Sequence, residues 1–251
     1  MQLTPVERHG EVFFKRDDLY STGAATGGKA RTCMALATGS KGIVTAGSRH
    51  SPQVALAALV ARQLGIPCRA HIPAGPDTEE VKTAMAAGAT IVRHSPGYNS
   101  VIVKRARDDA DEWRKYGWVE IPFGMESPMA VAQTRQQVAN LPRNITRIVV
   151  PVGSGMSLAG ILHGMVDYRL EVPVVGVVVG ADPSSRLKKY APDAWWSLPV
   201  SFLPAEVPYS ARVKNSVLYG IPLDPVYEAK CIPFIKPGDC LWIVGNRNAV
   251  A

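Results

Sequence analysis

The side chain with the most reactive placement in this chain is Lys29, which directly follows a glycine pair in Thr26-Gly27-Gly28-Lys29-Ala30-Arg31. A glycine pair lets backbone approach a ligand closely. An amine held there is partly desolvated, which favours the neutral form that makes imines; the alternative is a surface lysine after a turn. A second cluster, Thr45-Ala46-Gly47-Ser48-Arg49-His50-Ser51-Pro52-Gln53, brings a hydroxyl, a permanent cation and a titratable imidazole to the end of an apolar segment. Strand ends that meet helix N-termini are where α/β proteins bind ligands; the plain alternative is a capped turn with an exposed histidine. A third, Pro151-Val152-Gly153-Ser154-Gly155-Met156-Ser157-Leu158-Ala159-Gly160, follows the apolar run Arg147–Val150. Loop N–H groups, the hydroxyls of Ser154 and Ser157 and a helix N-terminus together make an anion cradle. It is neither a Walker loop, since no Lys-Ser/Thr follows, nor the dinucleotide fingerprint, whose third glycine is out of place. The fourth stretch, Gly220-Ile221-Pro222-Leu223-Asp224-Pro225-Val226-Tyr227-Glu228-Ala229-Lys230, reads by itself as an Asp-Pro turn into a short helix.

The elements that must position these groups alternate in kind. Gly42–Ala46 reads as a buried strand, and residues 52–64 as a helix with Ser51 as N-cap, Pro52 in its first turn and Gly65 ending it. Further strands are expected at 68–72, 90–93, 147–152, 173–179 and 241–245. Helices are expected at 78–87, 100–116, 129–141 and 157–168. Apolar rather than alternating strands, separated by helices, indicate an α/β fold with parallel sheets. Residues 184–222, rich in proline and carrying Trp195 and Trp196 without a clean period, read as a surface excursion or lid.

Composition narrows the classes. The chain has 251 residues and is 47% hydrophobic, enough for one large domain or two lobes. Its net charge of +7 favours anions, whether small carboxylates, phosphates or a nucleic acid. The four cysteines make no C-x-x-C pair, so they carry neither a zinc signature nor a disulfide framework. The first residues lack the apolar run of a signal peptide, and no stretch of 18 apolar residues exists. A cytoplasmic protein without membrane contact and without a bound metal is therefore expected.

Taken in order, Lys15-Arg16-Asp17-Asp18-Leu19, the Gly-Gly-Lys29 segment, the Ser48-Arg49-His50 loop, the glycine loop and Leu223-Asp224-Pro225-Val226-Tyr227 resemble the fold-type II pyridoxal-phosphate (PLP) enzymes, the tryptophan synthase β family. The likeness is nearest to the D-cysteine desulfhydrase and 1-aminocyclopropane-1-carboxylate deaminase branch, and a phage-type member is a further form of it. It implies two α/β lobes with PLP in the cleft between them: residues 1–40 and 122–251 as the larger, cofactor-binding lobe and 41–121 as the smaller. Residues 121–124 (Ile-Pro-Phe-Gly) are similar to the turn that precedes the larger lobe's next helix. By the same resemblance Lys29 is the Schiff-base lysine and the acid or base at Cα. Gly153, Ser154, Gly155, Met156 and Ser157 hold the phosphate. Ser48, Arg49 and His50 bind the substrate carboxylate or relay a proton, with Arg49 beside the cofactor. Gln53, Tyr219 and Tyr227 line the substrate pocket, and Asn246 meets the ring nitrogen. Three positions depart from the family pattern: Gly28 and Arg49 stand where asparagines are usual, and Met156 replaces a glycine.

The expected activity is a PLP-dependent lyase or deaminase acting on a small free amino acid, in a homodimer. The alternative, suggested by phage-encoded relatives that look to be linked to modified pyrimidines, is a decarboxylase or lyase acting on an amino acid attached to DNA, which would place the protein in a host cytoplasm. A non-catalytic protein that keeps the fold for binding is the third reading.

Overall fold

The computed structural model describes residues 2–95, 98–180 and 182–245. It divides into two units, one formed by residues 21–126 and one by the residues up to 20 together with those from 127 onward.

The 21–126 unit is built on a four-stranded, all-parallel sheet in the order Thr90–His94, Cys68–Pro73, Gly42–Ala46, Trp118–Ile121. Its helices are α1 (Gly28–Ala37), α2 (Pro52–Leu64), α3 (Glu79–Ala86) and α4 (Asn99–Arg114). The sequence marks their ends. Ser51 accepts the Gln53 N–H as N-cap of α2, Pro52 occupies its first turn, and Gly65 closes it in the left-handed region at φ 67°. Thr78 caps α3 in the same way. Every residue of Gly42–Ala46 is buried, as expected for a strand covered on both faces. Gly42 is glycine because the Trp118 indole lies where a Cβ would stand, 2.3 Å from it. Residues 21–40 belong here, with α1 against α2 and the Trp118–Ile121 strand; the sequence reading had grouped 1–40 with the larger lobe. The small apolar face of α1, with Ala30, Cys33 and Ala37 buried, explains the difference.

The second unit carries a six-stranded sheet in the order Val6–His9, Val12–Arg16, Asp239–Ile243, Arg147–Val152, Val174–Val178, Val200–Pro204. The first two strands form an antiparallel hairpin; all other pairs are parallel. Its helices are α5 (Pro128–Arg135), α6 (Met156–Tyr168) and α7 (Ser184–Tyr190). Ser127 caps α5, accepting from Ala130 N at 3.2 Å. The expected helix over 129–141 relaxes into 3-10 turns at Gln136–Asn140. Helices α5 and α6 touch closely at Gly160, where a Cβ would lie 2.5 Å from that of Thr134, and at Gly164, where it would lie 2.5 Å from the Arg135 carbonyl.

The excursion expected at 184–222 is corrected in part. It contains α7 and the strand Val200–Pro204, which extends the main sheet in parallel register with Val174–Val178. Proline is tolerated there because the strand is at the sheet edge. The Lys15-Arg16-Asp17-Asp18 motif proves to be a brace. Lys15 is fully buried and donates to the Thr4 carbonyl at 2.8 Å and Asn140 Oδ1 at 2.7 Å. Asp17 accepts from Thr4 Oγ1 at 2.7 Å and Trp242 Nε1 at 3.1 Å. Arg16 spans Asp18 and Glu7 at 2.9 and 2.7 Å. Buried charges persist only when partnered in this way. No helix among the described residues is long and apolar enough to cross a membrane.

Candidate active site

The parallel strands of the six-stranded sheet put their carboxyl ends on one edge, and the glycine loop lies there, directly after Val152. Gly155, at φ 86°, is the N-cap of the 13-residue helix α6. The first N–H groups of a helix have no carbonyl within it, and their dipoles sum toward positive charge. Ser154 and Ser157 are half-buried on this loop, while the Met156 side chain is buried at 4% exposure; Met156 can serve an anion only through its backbone. Both loop glycines are demanded by close neighbours. A Cβ at Gly153 would stand 3.0 Å from the Tyr227 ring, and one at Gly155 would stand 3.0 Å from Pro183 Cβ.

Tyr227 is delivered by the Leu223–Tyr227 segment. Asp224 Oδ1 accepts the N–H groups of Val226 at 2.8 Å and Tyr227 at 3.1 Å, an Asx turn that aims the ring at Gly153. The Tyr227 hydroxyl lies 3.0 Å from that of Tyr209, with the rings edge to face. Lys230, buried, donates to the carbonyls of Pro208 at 2.7 Å and Tyr209 at 3.0 Å and so holds Tyr209 in place.

Glu228 comes next and is also buried, at 2% exposure. Its Oε1 accepts from Val244 N at 3.0 Å and Gly245 N at 3.3 Å, just beyond the carboxyl end of Asp239–Ile243. Its Oε2 has no hydrogen-bond partner among the described residues. Burial, reinforced by the charge of Asp224 and opposed by the backbone N–H groups, pushes this carboxyl up to about 8. Glu228 is therefore protonated at neutral pH, with a donor ready on Oε2. Sequence reasoning missed both Glu228 and Tyr209. The available signal for Glu228 was a lone acid flanked by apolar Val226, Ala229 and Cys231.

In the 21–126 unit, Lys29 is the second residue of α1, whose N-cap Gly27 has φ 90°, and it is half-buried. The Ser48-Arg49-His50 loop joins the Gly42–Ala46 strand to α2, with Ser48 and Arg49 half-buried and His50 exposed. Arg49 reaches along the surface rather than inward. Its Nη1 donates to the Pro76 carbonyl at 2.7 Å, its guanidinium covers Gly75, and its own carbonyl accepts from Thr78 Oγ1. Gln53, expected in the substrate pocket, is 3% exposed with both ends of its amide engaged. It donates to Thr45 Oγ1 at 3.1 Å and the Pro122 carbonyl at 3.0 Å, and accepts from Gly124 N at 2.8 Å. It braces the 122–124 turn against the strand end.

Tyr219, also expected in the pocket, lies elsewhere. It covers Gly10, with Cε1 2.8 Å from where a Cβ would be. Gly10 precedes Val12–Arg16, at the amino end of the parallel strands. The glycine loop is at their carboxyl end, so Tyr219 is separated from it by the length of the sheet. Asn246 lies outside the described residues.

An anion cradle at parallel strand ends, beside a neutral buried carboxyl and a tyrosine pair, defines a class: an α/β protein that holds a phosphate-bearing cofactor with a second polar group to recognise. Pyridoxal phosphate fits, since its phosphate matches the α6 terminus and its ring nitrogen matches a donor such as the orphaned Glu228 Oε2. The family described as "Pyridoxal-phosphate dependent enzyme" matches residues 2–197. The chain belongs to this family, whose cofactor is pyridoxal phosphate; Tyr209, Tyr227 and Glu228 lie beyond the matched stretch. A crystal structure described as an ACC deaminase homologue shares the fold with TM-score 0.81 at 22% identity, covering 98% of this chain and 90% of that one. Maize serine racemase does so with TM-score 0.64 at 17% identity, over 98% and 88%. A fungal L-serine ammonia-lyase from Rhizomucor miehei gives 0.63 at 15% identity, over 97% and 93%. No curated protein sequence matches.

Proposed function

We propose that this protein is a PLP-dependent lyase or deaminase that breaks a bond at Cα of a small free amino acid. The observation that supports it most is the Tyr209–Tyr227 hydroxyl pair over Gly153, which sets a proton-carrying group beside the phosphate cradle. Bound pyridoxal phosphate supplies an electron sink for the pair released at Cα. Lys29 would hold the cofactor through its amine and would serve as the base at Cα. The N–H groups and hydroxyls of Gly153–Ser157 hold the phosphate. Glu228 keeps a proton on Oε2 for the ring nitrogen, the role the sequence reading had given to Asn246. Ser48 and His50 take the substrate carboxylate, and Arg49, gripping the Pro76 carbonyl, shapes the loop that carries them. Tyr227 moves a proton to or from the substrate side chain, with Tyr209 as its partner.

The test is chemical. Borohydride reduction of the purified yellow holoprotein, followed by peptide mass mapping, is expected to place the cofactor on Lys29. The Lys29→Ala variant is expected to lose the visible band and turnover by at least about 10³-fold, as for other removed nucleophiles. Cofactor attached to a different lysine would overturn the assignment, and so would an unchanged spectrum in Lys29→Ala. Candidate free amino acids are then added and the products identified.

A second reading, an amino acid already attached to a base in DNA, is favoured by one feature. Pro183 closes on Gly155, 3.0 Å from where a Cβ would stand, and the helix that begins just after it, α7, contains Arg186, Lys188 and Lys189 in a chain of net charge +7. Turnover on such a polyanion would fall steeply with salt, whereas turnover of a free amino acid would change little.

A further inference from the structure

The 21–126 unit holds a hydrogen-bonded chain of side chains that the proposed chemistry does not use. Asp109, on α4, accepts from Arg69 Nε at 2.7 Å, Arg69 Nη2 at 3.2 Å and Trp113 Nε1 at 3.1 Å. Its Oδ2 also accepts from His71 Nε2 at 2.7 Å. The other ring nitrogen of His71, Nδ1, lies 2.9 Å from Nε2 of His94, and the two rings stack with centroids 5.0 Å apart. His71 is 2% exposed and His94 is half-buried. The charged groups acting on the pair are Arg69 from the His71 strand and Asp109 and Arg105 from α4. Arg93, on the His94 strand, is turned to Asp77.

Proton counting limits what this pair can do. His71 commits its Nε2–H to Asp109, so in the neutral pair its Nδ1 is a lone pair and His94 is the donor. One added proton leaves one donor facing one acceptor, and the bond survives. Two added protons leave N–H facing N–H between two cations, with Arg69 and Arg105 nearby, and the bond cannot form.

The bond fastens the carboxyl ends of Cys68–Pro73 and Thr90–His94, where Pro73 pairs with His94. Beyond it, Ala74 N donates to the His94 carbonyl at 2.6 Å. The turn that follows is held by Arg93, through the Gly75 carbonyl at 3.4 Å and Asp77 at 2.5 Å. Arg49 grips the same turn at Pro76, and Thr78 binds back to the Arg49 carbonyl. The histidine pair and the Ser48–His50 loop are thus two ends of one hydrogen-bonded assembly.

The geometry points to a one-proton lock: the His71–His94 pair clamps the turn that seats Arg49 while it carries no added proton or one, and releases that turn when both rings are charged. Burial, the largest influence on each ring, holds both histidines below their ordinary 6.5, so the lock is closed at neutral pH and opens in acid. A folded state that binds fewer protons than the unfolded chain loses stability as pH falls below 6.5, which gives the direction of the effect.

The experiment is a titration of the 15N-labelled holoprotein from pH 8 to 4.5, following the ring nitrogens of its five histidines and the amide exchange of residues 74, 75, 77 and 78. His71 and His94 are expected to titrate as a coupled pair whose two steps are separated by more than about one pH unit. Exchange at those amides, corrected for its intrinsic pH dependence, is expected to rise about tenfold with the second step and not with the first. His94→Gln, which keeps a donor for His71 Nδ1 and cannot become charged, is expected to abolish that rise. Independent titration of the two rings near 6.5 would overturn the lock. So would amides indifferent to the second step, or a full acid response in His94→Gln.

Discussion

Gly153 and Glu228 show how single atoms set what the cradle accepts. A methyl group at Gly153 would press on the Tyr227 ring at 3.0 Å, so either the loop or the ring must shift. Gly153→Ala is expected to weaken cofactor retention about tenfold, equivalent to about 1.4 kcal/mol, with little change in melting temperature of the cofactor-free protein; equilibrium dialysis and a thermal scan measure the two. Lys29 and the glycine loop stand out in the sequence as candidates because a glycine pair or a glycine loop beside a polar side chain is a local signal. Glu228 was not, since an isolated acid after a turn is usually solvated. Only the strand ends at Val244 and Gly245, remote in sequence, show that this one is enclosed. Gln53, a polar residue one turn into a loop-borne helix, reads in the sequence as a ligand group; its amide partners at Thr45, Pro122 and Gly124 become visible only across the unit.

At the scale of elements, the glycine loop is only as well placed as α6, and α6 is seated by α5. Gly160 permits this, with the Val131 carbonyl 2.9 Å and Thr134 Cβ 2.5 Å from where its Cβ would stand. Gly160→Val is expected to destabilise the protein by about 1–3 kcal/mol, the usual range for overpacking, and to loosen cofactor binding through the displaced helix end; urea melts and dialysis together measure this. Most elements could be bounded from local signals. Residues 52–64 carry cap, proline and terminal glycine within 15 positions, and 148–152 is an uninterrupted apolar run. Val200–Pro204 could not be recognised, because a five-residue segment with a proline becomes a strand only by pairing with Val174–Val178. The hairpin at Val6–His9 and Val12–Arg16 was hidden for the same reason, its buried Lys15 being stabilised by the Thr4 carbonyl and Asn140.

For the whole molecule, the stability–pH profile combines two opposed contributions. Glu228 is raised from 4.5 to about 8 by folding, so the folded chain binds the extra proton in that interval. Its contribution is complete below 4.5 and is lost as pH rises through 8, with a slope of up to about 1.4 kcal/mol per pH unit. The histidine pair acts with the opposite sign below 6.5. Thermal scans at pH 5, 7 and 8.5 are expected to show Glu228→Gln flattening the alkaline decline while leaving the acid limb unchanged.

The amino-acid sequence by itself determined the α/β class, the parallel character of the sheets, the helix that opens after the glycine loop and, through its resemblance to a known family, the cofactor. The fold features rest on periodicity, caps and glycine spacing, which act over a few residues, whereas the cofactor rests on the likeness of several motifs taken in order. The tertiary structure decided which polar groups are enclosed and what they meet: Glu228 on the N–H groups of Val244 and Gly245, 16 and 17 residues downstream, Tyr227 on a glycine 74 residues before it, Tyr219 at the far end of the sheet, and His71 joined to Asp109. Burial and long-range hydrogen bonding are set by which segments pair, and that depends on the chain as a whole rather than on any window within it.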